Sequence, residues 1–565
     1  MNDVKTYWYK DAVVYQIYPR SFCDSNGDGI GDLRGIISKA DYLADLGVDA
    51  VWLSPCYRTP NDDKGYDISD YRDINPEFGT LDDWKEMVAE LHKRNIRVIM
   101  DLVVNHCSDE HFWFQEAKKS KDNPYRDYFI WRRGRGKDGK KPPNNWTSRC
   151  GGSAWMYDET TDEWFLHLWS KKEPDLNWEN PKFREEVHDI VKYWLDLGCD
   201  GFRCDVITYL SKTYNPDGTI PNGKWRFALR GDELFLHGPR IHEFLRELNE
   251  KVLSHYDCMT VGEATGVTVE QGILYTGEDR KELDTLFQFD HVESDAVLHV
   301  IPKWFSLPKF KAAMSRWQTG MYKKGWNALY YENHDQPRSL PRFTGKFGER
   351  RKEAAKMLAM SLFFMQGTPY VYEGQELGMS NYKFKSVSEM DDNFAIAYYN
   401  IVKRVIGPFA KPLFMYVMNR RSRDQGRFPM AWSSGENAGF TTGKPWLLIH
   451  PDFTEINVES EAADETSVLN FYKKLIAYRK GNEIIRNGTF REYFKKHRSL
   501  YVYEREYDGK RLLLILNFKN KNVPFKLPKG YSFNNANVVM SNYDNMRKLE
   551  ETTLMPYEAI AFEVN

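Results

Sequence analysis

The sequence has little that would tie it to nucleic acid, to a membrane or to an oxidising compartment. Its 79 Lys and Arg nearly balance 81 Asp and Glu, for a net charge of −2. Nucleic acid and anionic lipid both call for a basic surface, so neither is expected as a partner. The longest apolar run, "MLAMSLFFM" at 357–365, is too short to span a bilayer. The opening segment "MNDVKTYWYKDAVVYQIY" lacks the basic-then-apolar order of a secretory signal. Seven cysteines (Cys23, Cys56, Cys107, Cys150, Cys199, Cys204 and Cys258) are odd in number, and none forms a CxxC pair. A disulfide framework or a zinc cluster is therefore not expected. Internal repeats and low-complexity segments are missing too. The expectation is a soluble cytoplasmic protein, a monomer or weak oligomer.

What the sequence does have is length, aromatic residues and a regular alternation of patterns. At 565 residues the chain can hold more than one domain. Aromatics make up 15%, with 17 Trp and 34 Tyr, enough for a large core and for surfaces on which flat apolar ligand faces stack. Short apolar runs at 12–19, 49–55, 97–106, 201–207, 259–264, 285–291, 327–335 and 368–376 alternate with amphipathic stretches. The first of these stretches, "LRGIISKADYLADLG", sets Leu33, Ile36, Ile37, Ala40 and Leu43 on one helical face, with Gly47 as a stop. Near-continuous apolar strands suit a parallel sheet covered by helices. Eight of them predict a (β/α)8 barrel, residues 1–106 and 176–484. Residues 107–175, polar and turn-rich, are too long for one connection and read as a small inserted subdomain after strand 3. Alternating strands from residue 485 to 565 read as a C-terminal antiparallel β domain, a sandwich.

In such a barrel, catalytic groups belong at the C-terminal strand ends. Strand 3 ends in Asp101, Asn105 and His106, strand 4 in Arg203 and Asp205, strand 5 in Glu263, and strand 7 in Asn333, His334 and Asp335. One acid at a strand end is unremarkable. Several buried together with an Arg and two His cost several kcal/mol each unless paired or used.

"DLVVNH", "GFRCDVI", "VGEA" and "NHD", in that order, resemble the signature regions of the α-amylase superfamily, glycoside hydrolase family 13. The stretches "NDDKGYDISDYRDINPEFGT", "NHDQPR" and "ENAGFTTGKPW" are similar to its oligo-1,6-glucosidase group. The resemblance implies a retaining exo-acting α-glucosidase on short, chiefly α-1,6-linked oligosaccharides, with no cofactor for catalysis. Asp205 would be the nucleophile, Glu263 the general acid/base and Asp335 the third acid, gripping sugar hydroxyls. Retaining cleavage needs two carboxyls ~5–5.5 Å apart, one ionised to attack and one protonated to release the leaving oxygen. Arg203 would keep Asp205 ionised, and the neighbouring carboxylates would favour the protonated form of Glu263. Tyr66 and Asp67 would form the floor and wall of the sugar pocket, His106 and His334 would bond the same glucose, and Arg427 would reach it from the loop after strand 8. Val206, following the nucleophile, is the type that accompanies α-1,6 preference.

The chain also departs from the pattern. Glu173 in "EPDLN" and Glu332 stand where amides are usual, and Trp169 stands where Phe is expected. "YQGEE" becomes "YEGQE", and "NARTPMQW" becomes "QGRFPMAW". These departures leave a sucrose isomerase or transglucosylase, or a trehalose-6-phosphate hydrolase, as alternatives with the same triad. A non-catalytic relative would need a membrane segment and could lose the triad. The loop "CDSNGDGIGDLRG" at 23–35 mimics half of a calcium loop, but its twelfth position is Gly35 where such a loop needs Glu. Asp24, Asn26, Asp28, the Ile30 carbonyl and Asp32 could still hold a structural Ca²⁺ or Mg²⁺. The alternative is a polar turn without an ion.

Overall fold

The computed structural model describes residues 6–225, 230–297, 301–392, 395–396, 399, 403, 407, 410–527, 536–543 and 553–564. Every one of the eight expected runs carries a strand: β1 Val14–Ile17, β2 Ala50–Leu53, β3 Arg97–Leu102, β4 Gly201–Cys204, β5 Met259–Glu263, β6 Thr285–Phe287, β7 Ala328–Leu329 and β8 Thr368–Tyr372. They make one eight-stranded sheet in the order β6-β5-β4-β3-β2-β1-β8-β7. The pairings β3–β4, β4–β5, β5–β6, β7–β8 and β1–β8 are parallel. The first strand pairing with the last (Val14 opposite Tyr370) is what a barrel requires and an open sheet does not. The fold is the (β/α)8 barrel expected.

The chain divides into two compact units, one of Met1–Tyr7, Trp52–Ala89 and Arg97–Gln288, the other of Trp8–Val51, Glu90–Ile96 and Phe289–Asn565. This division cuts through the barrel, whereas the sequence reading kept residues 1–106 and 176–484 as one domain.

In the first unit, β4 is fed by the helix Pro181–Asp196. Asn180 caps it by accepting the Lys182 N–H, and Pro181 supplies the first helical φ. Phe183, Val187, Ile190, Val191 and Trp194 form its buried stripe. Residues Trp131–Arg132, Glu163–Leu166 and Trp155–Asp158 pair as a small antiparallel sheet in the inserted region. Beneath it Trp146, Trp155, Leu166 and Leu168 pack with Val206, Tyr209 and Phe235. The residue beside the expected nucleophile is thus rooted in the insert's core.

In the second unit the stretch expected as one helix forms two, Leu33–Ser38 and Ala40–Leu46. The break at Lys39 follows Ser38, whose hydroxyl donates to the Gly35 carbonyl at 2.7 Å, a back-bond that bends helices. Gly47 does end the second helix, at φ 89°. At the C-terminus, Thr489–Tyr493, Leu500–Tyr507, Lys510–Asn517, Ala559–Val564 and Ala536–Ser541 form a five-stranded antiparallel sheet in that order. Its face packs Val502, Leu513, Ile515 and Phe562 with Val523 and Leu554 of a separate two-stranded ribbon.

Candidate active site

In the first unit the expected residues gather around one guanidinium. Arg203 on β4 lies opposite Asp101 on β3 and Val261 on β5, so the register puts it between two acidic strand ends. Its Nη1 reaches Asp101 Oδ1 at 2.8 Å and Asp205 Oδ1 at 2.6 Å, and its Nη2 reaches Glu263 Oε2 at 2.7 Å. The Trp52 indole and the Tyr66 hydroxyl donate to Asp101 Oδ2, each at 3.2 Å. The Arg203 guanidinium also lies 5.3 Å from the Trp52 ring centre and 5.6 Å from that of Tyr66.

Asp205 departs from the expectation. Burial pushes its carboxyl well above the usual carboxylate range; Arg203 pulls it down, and Glu263 and Asp101 push it up again. Burial is the larger cause, and it is not offset because one cation is shared among three acids. If all were ionised, two net negative charges would sit in a buried space, which raises the cost of ionising Asp205.

Val206, directly after Asp205, holds a left-handed backbone (φ 35°, ψ 41°). For a β-branched residue that conformation is strained, at a cost of order 1–3 kcal/mol. It aims the Val206 N–H at Glu263 Oε2, 3.1 Å away, while the side chain is buried in the insert's aromatic core. Nucleophile position, acid/base position and core packing therefore meet in one dipeptide.

His106 follows β3 in a second network. Lys212 Nζ pairs with Asp175 Oδ2 at 2.8 Å and donates to Asn105 Oδ1 at 3.0 Å. Asn105 Nδ2 faces His106 Nδ1 at 3.3 Å, and Glu173 Oε1 lies 3.7 Å from His106 Nε2. Trp169 packs between the His106 and Tyr209 rings, at 6.2 and 5.7 Å. Asp67 is fully buried, and it orders its own loop: Oδ1 accepts from the Thr59 hydroxyl and the Asp63 N–H, and Oδ2 from the Asp62 N–H.

The second unit holds the remaining predicted residues. Gln16 Nε2 meets His334 Nδ1 at 2.8 Å, leaving His334 Nε2 for Asp335 Oδ2 at 3.1 Å. Arg427 grips the same element twice, through Asp335 Oδ1 and the His334 carbonyl, both at 2.9 Å. Arg423, which the sequence reading did not single out, stands 3.6 Å from Asp335 and 3.1 Å from Asp392. Burial pushes the Asp335 carboxyl up, but His334, Arg423 and Arg427 outweigh it and hold it well below the ordinary range. Tyr18 stacks on the His334 ring at 5.9 Å.

The Asp24 loop lies in the same unit. Asp24 accepts from the N–H groups of Asn26, Gly27 and Gly29, Asn26 from that of Asp28, and Asp28 from that of Ile30. Asp32 caps the helix after it through the Gly35 N–H. A Cβ at Gly29 would fall 1.8 Å from the Lys444 carbonyl oxygen, so only glycine lets the loop dock on 441–446. Among the described residues no group of three or more His, Cys, Asp or Glu is preassembled to hold a metal ion.

A family model for the alpha amylase catalytic domain matches residues 16–488. The chain belongs to the alpha-amylase family. It is a glycoside hydrolase, and its substrate is a small carbohydrate. It is 52% identical, over 99% of both chains, to an oligo-1,6-glucosidase of Parageobacillus thermoglucosidasius. The crystal structure of trehalose-6-phosphate hydrolase (TreA) from Bacillus licheniformis superposes with a TM-score of 0.93 at 42% identity, covering 99% of each chain. That of the trehalulose synthase MutB from Pseudomonas mesoacidophila MX-45 gives 0.90 at 38% identity over 99% of each. Among the described residues no helix is long and apolar enough to cross a membrane.

Asp101 was within reach of the sequence, because it opens the "DLVVNH" motif. Lys212 carried no signal of its own: it looks like a surface lysine until the fold buries it against Asp175.

Proposed function

We propose that this family member is a retaining, exo-acting α-glucosidase that hydrolyses α-1,6 bonds of short oligosaccharides. One observation carries the chemistry: a single buried guanidinium bridging Asp101, Asp205 and Glu263. Asp205, fixed by Arg203, attacks the anomeric carbon, and Glu263 delivers a proton to the leaving oxygen. The covalent glucosyl-Asp205 ester then falls to water that Glu263 deprotonates. Asp335, held ionised by His334, Arg423 and Arg427, is suited to gripping sugar hydroxyls as positive charge develops on the ring. The linkage preference is supported by the 52% identical oligo-1,6-glucosidase and by Val206.

Isomaltose, panose, maltose, sucrose, isomaltulose, trehalose and trehalose 6-phosphate, with products identified, test the reading. Glucose from isomaltose and panose at the highest kcat/KM is the expected result. Isomaltulose or trehalulose from sucrose without free glucose, or trehalose 6-phosphate as best substrate, would replace it. Asp205→Asn should lose at least ~10⁴ in kcat on an aryl α-glucoside, the scale seen when a covalent nucleophile is removed. We also propose a structural Ca²⁺ or Mg²⁺ on the Asp24 loop. It is supported by the alternating oxygen donors Asp24, Asn26 and Asp28 and by the exposed Asp28 carboxylate, although the donors are not gathered in advance.

A further inference from the structure

The acid in "EPDLN" has an unusual setting. Glu173 has no exposed surface. Its Oε2 accepts the Ser170 N–H at 2.7 Å, whereas Oε1 has no hydrogen-bond partner. That oxygen stands 3.7 Å from His106 Nε2, beyond hydrogen-bond length. The charged groups that act most on Glu173 are Asp63, Asp67 and Asp62, all acidic. Burial first, and then these acids, hold the carboxyl well above the ordinary range, so that it is neutral over a wide span of pH.

The tautomer of His106 follows from its other neighbours. Lys212 can only donate, so the Asn105 oxygen must face it and the Asn105 amide nitrogen must face His106. His106 Nδ1 is then the acceptor, and the ring proton sits on Nε2, the atom turned toward Glu173. Burial and the Lys212 charge push the imidazole down to about 3, so the ring is neutral.

Two arrangements are open to this pair. While Glu173 is neutral, the 3.7 Å gap leaves the His106 Nε2–H uncommitted. Once Glu173 loses its proton to solvent, Oε1 becomes a charged acceptor beside that N–H, and a closure of under ~1 Å makes a charge-assisted bond. An amide at this position cannot ionise and has only the first arrangement.

We propose that Glu173 is a positioning residue with two settings: as the neutral acid it leaves the His106 Nε2 proton for a substrate hydroxyl, and as the carboxylate it captures that proton donor. The proposal deepens the α-glucosidase reading and rests on it, since it takes His106 as a ligand of the bound glucose. It makes the alkaline limit of activity a property of an acid that relatives with an amide do not carry.

The test is the pH profile of kcat/KM on an aryl α-glucoside for the full chain, wild type and Glu173→Gln, across the neutral and alkaline range. The two should agree within about twofold on the plateau, with the alkaline limb of E173Q moved up by about one pH unit or more. Asp63→Asn, which removes one of the facing acids, should move the wild-type limb downward and so tests the same linkage in a chain that keeps Glu173. In ¹⁵N spectra of histidine-labelled protein, the His106 Nε2 signal should change with the alkaline limb in the wild type and stay constant in E173Q. Superimposable limbs in wild type, E173Q and D63N overturn the proposal, as does an E173Q equally impaired at every pH with an unchanged melting temperature. A chain that cleaves no α-glucoside at any pH fails the underlying reading; one that cleaves with unmoved limbs fails only this inference.

Discussion

Arg203→Met removes the charge that holds three acids while keeping a side chain of similar length. Its contacts of 2.6–2.8 Å with Asp101, Asp205 and Glu263 put each pair of charge centres about 4 Å apart. At an effective dielectric of ~20 one such pair is worth about 4 kcal/mol. Removing it from Asp205 disfavours the ionised nucleophile by that amount. The acid limb of kcat/KM should therefore move to higher pH, and at the acid edge of the wild-type profile activity should fall by about 10³-fold. Raising the pH should recover part of the loss, because Asp205 can still ionise. Two buried carboxyls or more lose their partner, so stability should fall by roughly 3–5 kcal/mol. Arg203→Lys keeps the charge but not the fork that reaches three acids at once, and should lie between the two. The assay is the pH dependence of aryl α-glucoside hydrolysis, with urea melts of the same preparations. An R203M acid limb that overlays the wild type, with activity within tenfold, would refute the assignment of Arg203 as the charge that sets Asp205.

In the second unit, buried Asp295 pairs with Arg342 at 2.9 Å and Arg421 at 2.7 Å, and Asp295→Asn should cost roughly 3–5 kcal/mol in urea denaturation. Burial pushes the Asp295 carboxyl up, but the two arginines bring it below its ordinary value. Its contribution is thus present above the unfolded value and lost as pH falls through the folded one, so the D295N deficit should shrink in acid. Val206→Thr should lower the isomaltose-to-maltose ratio of kcat/KM by about tenfold, and an unchanged ratio would remove Val206 from the account of linkage. Chelation should lower the melting temperature without abolishing hydrolysis, and Ca²⁺ should restore it, with about 2.7 kcal/mol at stake at hundredfold saturation. No shift on chelation would identify the Asp24 loop as a self-satisfied turn.

The eight strands were legible because each is a near-continuous apolar run, the signature of burial on both faces, and all eight lie where those runs do. Arg203 and Asp205 could be paired from their i, i+2 spacing, which turns both to one side of a strand. Asp101 could be seen at its strand end but not assigned to Arg203, because that contact depends on the register between β3 and β4. The electrostatics of Asp205 were misjudged for the same reason: counting acids along the chain does not show that three of them share one cation. The left-handed Val206 left no trace in the sequence, since valine is a poor residue for that conformation. Its backbone is set by the core that buries the side chain.

The acid-for-amide exchanges show how one substitution type acquires different physical meanings. Glu332 is neutralised by a partner: Arg338 meets it at 3.0 Å, and both groups are buried. Glu373 accepts the Tyr18 N–H at 2.9 Å, and burial together with Glu376 pushes it well above the usual carboxylate range. Its neighbour Glu376, an acid in both patterns, takes the Tyr15 and Tyr42 hydroxyls at 2.7 and 2.6 Å and is pushed up by burial as well. A neutral carboxyl is close to an amide in shape and hydrogen-bonding capacity, which is how such positions accept an acid at all. The resemblance holds only while the proton stays. Glu173 faces the His106 imidazole at 3.7 Å, so the loss of its proton rearranges a group that the chemistry uses. An exchange that is silent beside Tyr18 becomes a pH-sensitive element beside His106.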